Sequence, residues 1–260
     1  MVRRVTLGCV EFAVPGDTLE DKLRILELHK MWLELVNDGF DEKRLTNILG
    51  ILPNFNTPVM SVQAFLLHDL RMLSAKDKDQ KIAIRHVEET IKIASKVGAQ
   101  NVVTTITYGE PRIENPRERC VELFKHFGKL SEEFNVLVSI EPLGRERTTF
   151  LPSVSEIYRL VQDVGSEHVR LMADTMHIHS NGENIAEVVN EYLMGISELQ
   201  LRDTNSRPPG RGSINFAPVL KIIRKNFKGL TCLEYKPGPD PSADFNYACK
   251  SVGDIIYAAR

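Results

Sequence analysis

The chain of 260 residues has only four cysteines, Cys9, Cys120, Cys232 and Cys249, and no two form a C-x-x-C pair. A zinc ribbon is therefore excluded and no disulfide framework is offered. The thiols are expected to be small buried groups in a reducing cytoplasm. No run of about 18 apolar residues is present to cross a bilayer as a helix. The opening residues, Met1-Val-Arg-Arg-Val-Thr-Leu7, lack the apolar segment and small-residue cleavage site of a secretory leader. No block of like charge occurs, and the net charge is only −2, so neither nucleic acid nor a membrane surface is an expected partner. No G-x-G-x-x-G follows the first apolar run, which leaves a dinucleotide-binding sheet without its signature. Low-complexity segments and long linkers are also missing, so residues 1–260 are expected to form one domain. With 42% hydrophobic and 26% charged residues, the composition suits a globular protein with one large core.

What is present is an alternation. Short apolar runs at Val5–Phe12, Trp32–Val36, Val59–Phe65, Val102–Tyr108, Val136–Ile140, Val169–Ala173, Ile196–Leu201 and Leu230–Leu233 read as strands. Helical patterns separate them. Asp17 or Thr18 caps a helix with Leu19, Leu23, Ile25 and Leu26 inward. Leu45–Leu52 stops near Pro53, and Lys81–Val97 repeats Ile84, Val87, Ile91 and Ala94 at helical spacing up to Gly98. Asn115-Pro116 is a cap and first-turn pair, and Ser153-x-x-Glu156 is a capping box. Ile185–Leu193 and Val219–Ile223 follow, and a last helix turns Ala248, Cys249, Val252, Ile255 and Ile256 inward. Eight strand–helix units predict a (β/α)8 TIM barrel of the α/β class. The segment Asn205–Gly212, with two Pro and two Gly, reads as a structured loop after the seventh strand.

In such a barrel the residues just past each strand face one mouth. The strand ends carry Glu11, Glu34, Gln63, Tyr108 and Glu110, then Glu141, Asp174 with His177, Gln200 with Asp203, and Glu234. Four consecutive strands thus offer the oxygen donors Glu141, Asp174, Gln200 and Glu234. Three carboxylates at one place repel one another unless a cation neutralises them, which predicts a divalent metal site. Asp174 taken alone reads first as the cap of a following helix, with His177 and His179 in a loop, and only the other strand ends bring out the metal reading.

Four stretches carry a resemblance: Ile140-Glu-Pro-Leu143, Asp174-Thr-Met-His177, Asp203-Thr-Asn-Ser-Arg-Pro-Pro-Gly-Arg-Gly-Ser-Ile-Asn-Phe216 and Leu233-Glu-Tyr-Lys-Pro237. In order and spacing the chain resembles the xylose isomerase-like barrel superfamily. That group includes sugar isomerases and epimerases, hydroxypyruvate isomerase, inosose dehydratase and endonuclease IV. The resemblance implies one divalent ion held by Glu141, Asp174, Gln200 and Glu234. Gln200 and the Glu-Tyr-Lys-Pro stretch are similar to the hydroxypyruvate isomerase branch, while the Pro-Pro-Gly-Arg-Gly loop is similar to the ketose epimerases. Arg147 and Ser206 stand where those epimerases often carry Glu and Arg, which points away from a free ketohexose.

The chemistry that fits is proton transfer beside a carbonyl, with Glu141 and Glu234 as the acid–base pair. His177 is expected to donate to a substrate oxygen, and Arg207 and Lys236 to hold a carboxylate or phosphate. His29, His86 and His126 fall in or beside helices and are expected to be structural. Oxygen-rich ligands favour Mn²⁺ or Mg²⁺, with Zn²⁺ or Co²⁺ as alternatives. The expected partner is a small sugar or hydroxy-carbonyl compound, and a homo-oligomer is left open. Two alternatives stand beside this reading. One is an endonuclease IV-like hydrolase, for which His68 and His177 are available as ligands; the other is a barrel that binds a sugar without catalysis.

Overall fold

Eight parallel strands close on themselves in sequence order: β1 (Leu7–Val10), β2 (Trp32–Asn37), β3 (Val59–Ala64), β4 (Asn101–Thr105), β5 (Leu137–Glu141), β6 (Val169–Asp174), β7 (Ile196–Leu201) and β8 (Leu230–Leu233). The computed structural model describes residues 5–39, 41–65 and 71–256. Between and after the strands lie α1 (Leu19–His29), α2 (Glu42–Ile51), α3 (Asp77–Lys96), α4 (Pro116–Glu133), α5 (Val154–Val164), α6 (Thr175–Ser180), α7 (Ile185–Glu191), α8 (Ala217–Lys225) and α9 (Pro241–Ile256). The (β/α)8 barrel expected from the alternation is the fold observed. Among the described residues no helix is long and apolar enough to cross a membrane.

Local chemistry sets the helix ends. Thr18, rather than Asp17, caps α1: its hydroxyl accepts from the Asp21 N–H and the Asp21 carboxylate accepts from the Thr18 N–H, both at 3.2 Å. Ser153 and Glu156 form the same reciprocal pair at the start of α5. Asn115 precedes α4 in a left-handed conformation (φ 49°) and its side chain makes no capping bond, so the expected cap is positional only. The inner faces then dock on the barrel. Leu23 and Leu26 are fully buried, and truncating either to Ala is worth about 2–5 kcal/mol of stability. Leu19 and Ile25 pack at the edge of the same core. In α9, Ala248 and Val252 are buried and Cys249 is partly so, whereas the side chains of Ile255 and Ile256 lie outside the described residues.

Several boundaries differ from expectation. β1 starts at Leu7, and residues 11–13 form a 3-10 turn. β4 ends at Thr105, which leaves Tyr108 in the loop beyond it. α3 begins at Asp77, four residues before the first expected position. A short helix, α6, follows β6 without an intervening loop, because Asp174 caps it directly.

The barrel interior is unusual for its polarity. Where bulky branched side chains ordinarily fill it, this one buries Glu34, Ser61, Gln63, Asn101, Ser139, Glu198, Gln200 and Cys232. The Glu34 carboxylate accepts from Ser61 Oγ at 2.6 Å, Gln63 Nε2 at 2.9 Å, Gln200 Nε2 at 3.0 Å and Cys232 Sγ at 3.4 Å. Asn101 donates to Glu198 at 3.0 Å and accepts from Ser139 at 2.6 Å. Glu34, expected at the mouth, is thus an interior residue in the middle of β2.

Candidate active site and metal centre

Parallel register brings the ends of β5 to β8 together. Glu141 closes β5 beside Thr105, Asp174 closes β6 beside Gln200, and Leu201 pairs with Leu233 so that Arg202 and Glu234 come next. Asp174 divides its two oxygens. Oδ1 accepts from the N–H groups of Met176 at 2.7 Å and His177 at 3.3 Å, capping α6. Oδ2 is buried and paired with Arg202, so the capping role of Asp174 is the one the geometry shows directly. The cap also fixes His177, which is buried rather than in a loop, with Nε2 3.4 Å from Glu141 Oε1. His179 is exposed on the other side of α6. Gly144 lets this happen: at φ 76° a Cβ there would come within 2.8 Å of Ser180 Oγ and 3.3 Å of the His177 carbonyl.

Arg202 stands among these groups and was not anticipated. Its guanidinium is buried with 6% of its surface exposed. Nη2 forms an ion pair with Asp174 Oδ2, lies 3.6 Å from Glu141 Oε1 and donates to His177 Nε2 at 3.0 Å, while Nη1 reaches Glu234 Oε1 at 3.3 Å. Burial alone would lower the Arg202 pKa, but Asp174, Glu234 and Glu141 together raise it. Burial pushes Glu234 up to about 8; Arg202 opposes this, and Glu141 and Asp174 add to it. A signal for Arg202 did exist: Glu198, Gln200 and Arg202 follow the two-residue period of a strand, so all three share the inner face.

The remaining expected residues are distributed as follows. Gln200 gives its amide N–H to Glu34, while its Oε1 is buried and has no partner. Lys236 lines the mouth cavity of about 510 Å³, as do Glu141, Arg202, Glu234 and Arg147. Arg207 does not: it is exposed, and its Nη1 donates to the Arg211 carbonyl at 3.4 Å. Its expected position is corrected accordingly. Asp203 collects the N–H groups of Thr204, Gly210, Gly212 and Ile214 at 2.8–3.0 Å, so it shapes the loop instead of facing the mouth. His29 and His126 sit on helices and contact Phe245 and Glu88. His86 lies in α3, and His68 is outside the described residues.

Which of these residues suit a metal ion follows from their donors. Ligand atoms of Glu141, Asp174 and His177 all lie within 4.8 Å of one another. Among the described residues, Asp174 Oδ2, Gln200 Oε1 and Glu234 Oε2 are buried oxygens without a hydrogen-bond partner. Buried oxygens left in this way are costly unless a cation or water satisfies them. The donor set therefore fits a divalent cation, with Arg202 as a competitor for the same oxygens.

A family model for the xylose isomerase-like TIM barrel matches residues 9–249. The chain belongs to that family. A D-psicose 3-epimerase from Enterocloster bolteae is 29% identical over 122 residues, covering 46% of this chain and 40% of the relative. An inosose isomerase from Halalkalibacterium halodurans is 25% identical over 130 residues, covering 45% of this chain and 46% of the relative. The match thus spans less than half the length of each. Among solved structures, an L-ribulose 3-epimerase superposes with a TM-score of 0.83 at 15% identity, over 98% of this chain and 96% of that one. An IOLI protein solved with a binding zinc atom gives 0.80 at 16% identity, over 98% and 99%. At such identities the structural likeness is one of fold.

Proposed function

We propose that this chain is a divalent-metal-dependent isomerase or epimerase of a small sugar or hydroxy-carbonyl compound. One observation carries the reading. Glu141 and Glu234, from β5 and the end of β8, approach a single guanidinium at 3.6 and 3.3 Å and line one cavity of about 510 Å³. Two carboxylates thereby flank a small volume inside a space that suits a small ligand. The names of the matched sugar epimerase and isomerase support the same chemistry.

In this reading one carboxylate takes the proton from the carbon beside a carbonyl. The other returns a proton, either to the neighbouring carbon, as an isomerase does, or to the opposite face of the same carbon, as an epimerase does. Burial pushes Glu234 up to about 8 while no ion is bound, and a bound ion would lower it toward the ionised form that can accept a proton. Glu141, Asp174 and Glu234 would hold the ion, with Gln200 Oε1 as the fourth oxygen, and such a set favours Mn²⁺ or Mg²⁺. When bound, the ion would supply positive charge for the substrate oxygen on which negative charge grows. Lys236 at the cavity wall would meet an anionic group of the substrate. Arg147, which lines the same cavity, takes over the role first given to Arg207.

The test is a panel of hydroxypyruvate, tetroses, ketohexoses and inososes with added Mn²⁺ in D₂O, followed by NMR. Interconversion of one substrate with deuterium entering at the reacting carbon is expected. A panel member that binds in the cavity but neither converts nor exchanges deuterium would favour the non-catalytic barrel.

A further inference from the structure

We propose that Arg202 is a resident cation of the carboxylate cluster, and that a divalent ion enters only by displacing it. The site is gated by its own guanidinium. The inference rests on the metal reading of the proposed function and is independent of its substrate.

The guanidinium holds the oxygens an ion needs. Asp174 Oδ2 is paired to it, Glu141 Oε1 lies at 3.6 Å and Glu234 Oε1 at 3.3 Å. His177 Nε2 accepts from it at 3.0 Å, so the one nitrogen ligand beside the cluster among the described residues is engaged as well. A guanidinium does not lose its charge in a protein, so it cannot make way by deprotonating. Two cations at such separations repel, and the guanidinium has to leave when an ion takes those oxygens. Three carboxylates outnumber one arginine, and the cluster keeps a surplus of negative charge that draws a divalent ion more strongly than a second monovalent one.

Arg202 is also built to move. Its backbone is clamped: Arg202 N–H donates to Thr175 Oγ1 at 2.9 Å, and that hydroxyl donates to the Arg202 carbonyl at 2.8 Å. Its stem is not clamped, because Nε has no partner. The side chain already borders the mouth cavity, which gives the guanidinium a place to swing into. There it would meet a substrate oxygen or carboxylate, and ion entry would reposition a donor toward substrate.

The test is equilibrium binding of Mn²⁺, by calorimetry and by EPR of the free ion, to the wild type and to Arg202→Met. The Met variant keeps most of the volume and loses the charge. It should bind Mn²⁺ at least tenfold more tightly, and the gain should vanish when Asp174→Asn is added. Equal or weaker binding by the Met variant overturns the gate. So does a gain that survives Asp174→Asn, since the ion would then bind elsewhere. If the variant is poorly folded without an ion, thermal melting decides. Mn²⁺ should raise its midpoint more than it raises the wild type's, and equal rises overturn the proposal. Turnover is not a readout, so an inactive protein with the tenfold gain keeps the gate and loses only the proposed reaction.

Discussion

Two clusters of carboxylates lie along the barrel, and they are answered by different chemistry. The inner one, Glu34 with Glu198, is surrounded by the neutral donors Ser61, Gln63, Asn101, Gln200 and Cys232. The outer one, Glu141, Asp174 and Glu234, is built around the charged donor Arg202. In the inner cluster burial, and then the neighbouring Glu198, raises Glu34 well above the ordinary carboxyl range, and burial likewise raises Glu198. Two carboxyls so raised are expected to share a proton. Ligand atoms of Glu34, Glu198 and Cys232 also fall within 4.8 Å. Yet the Cys232 thiol is already spent as a donor to Glu34 at 3.4 Å, and with no ion bound burial and Glu34 raise it far above its usual value. The two inner carboxyls and the three outer ones thus acquire different uses. Neutral donors leave the inner pair raised by burial and by its own mutual charge, whereas in the outer cluster the Arg202 charge opposes the rise that burial imposes on Glu234.

The largest expected effect separates the two clusters by activity. Glu141→Gln and Glu234→Gln should each lower turnover by about 10²–10⁴-fold, since an amide cannot accept the proton. Glu198→Gln should leave turnover within a few-fold of wild type. The comparison of kcat across the three variants, on whichever substrate the panel identifies, is the measurement. A Glu198 variant as inactive as the outer two would erase the distinction, and an outer variant with near-normal kcat would remove the proposed acid–base pair.

The clusters differ in the same way in how far they could be read from sequence. Position past a strand end was enough to find Glu141, Asp174 and Glu234, because eight strand–helix units force those ends to one mouth. It was not enough for Glu34, which lies two residues inside the expected run Trp32–Val36 and three before the observed end of β2. Asn37 is the last residue of that strand, which places Glu34 inside the barrel and not at the rim. Arg202 was missed for an energetic reason. A lone arginine beside a loop ordinarily stays solvated, and it is buried here only because three carboxylates surround it. Arg207 shows the converse, since its Pro- and Gly-rich loop folds around Asp203 and turns it outward. Local pattern fixes which residues reach a strand end, and the partners across the barrel decide which of them go in.

A smaller effect tests the shared proton. Glu34 and Glu198 titrate above the ordinary value of 4.5. Above that pH the folded protein holds more protons than the unfolded chain, so stability falls as pH rises. Their contribution is fully present below about pH 4.5 and is lost as pH climbs through the folded values. In Glu198→Gln the amide donates to Glu34 without needing a proton. The variant should therefore match or trail the wild type at pH 5 and exceed it at pH 8 by about 1 kcal/mol, read as a rise of about 2–4 °C in midpoint. Glu234, at about 8, feels the charge of Glu34 and acts on Glu198, so the comparison is repeated in a Glu234→Gln background, where the same difference isolates the inner pair. Melts in chelator at the two pH values are required. An equal difference at both would mean that no proton is shared.

The smallest effect concerns Gln200, the residue between the clusters. Its Nε2 belongs to the inner one through the 3.0 Å bond to Glu34, and its unpartnered Oε1 is free to serve the outer one. Gln200→His forces a choice. If Oε1 is the fourth oxygen for an ion, an imidazole nitrogen in its place shifts preference toward Zn²⁺ and Co²⁺ and away from Mg²⁺. The ratio of Zn²⁺ to Mg²⁺ affinity should then rise several-fold, with both affinities taken by titration in one buffer. If Gln200 serves the inner cluster alone, that ratio stays put. The loss appears instead as stability, because Glu34 gives up one donor worth about 1 kcal/mol. Both readouts come from the same two proteins. An unchanged ratio with a lowered midpoint would assign Gln200 to the core and leave the outer cluster as three carboxylates with His177 and Arg202. A raised ratio would make β7 a contributor to both clusters, through the two ends of one amide.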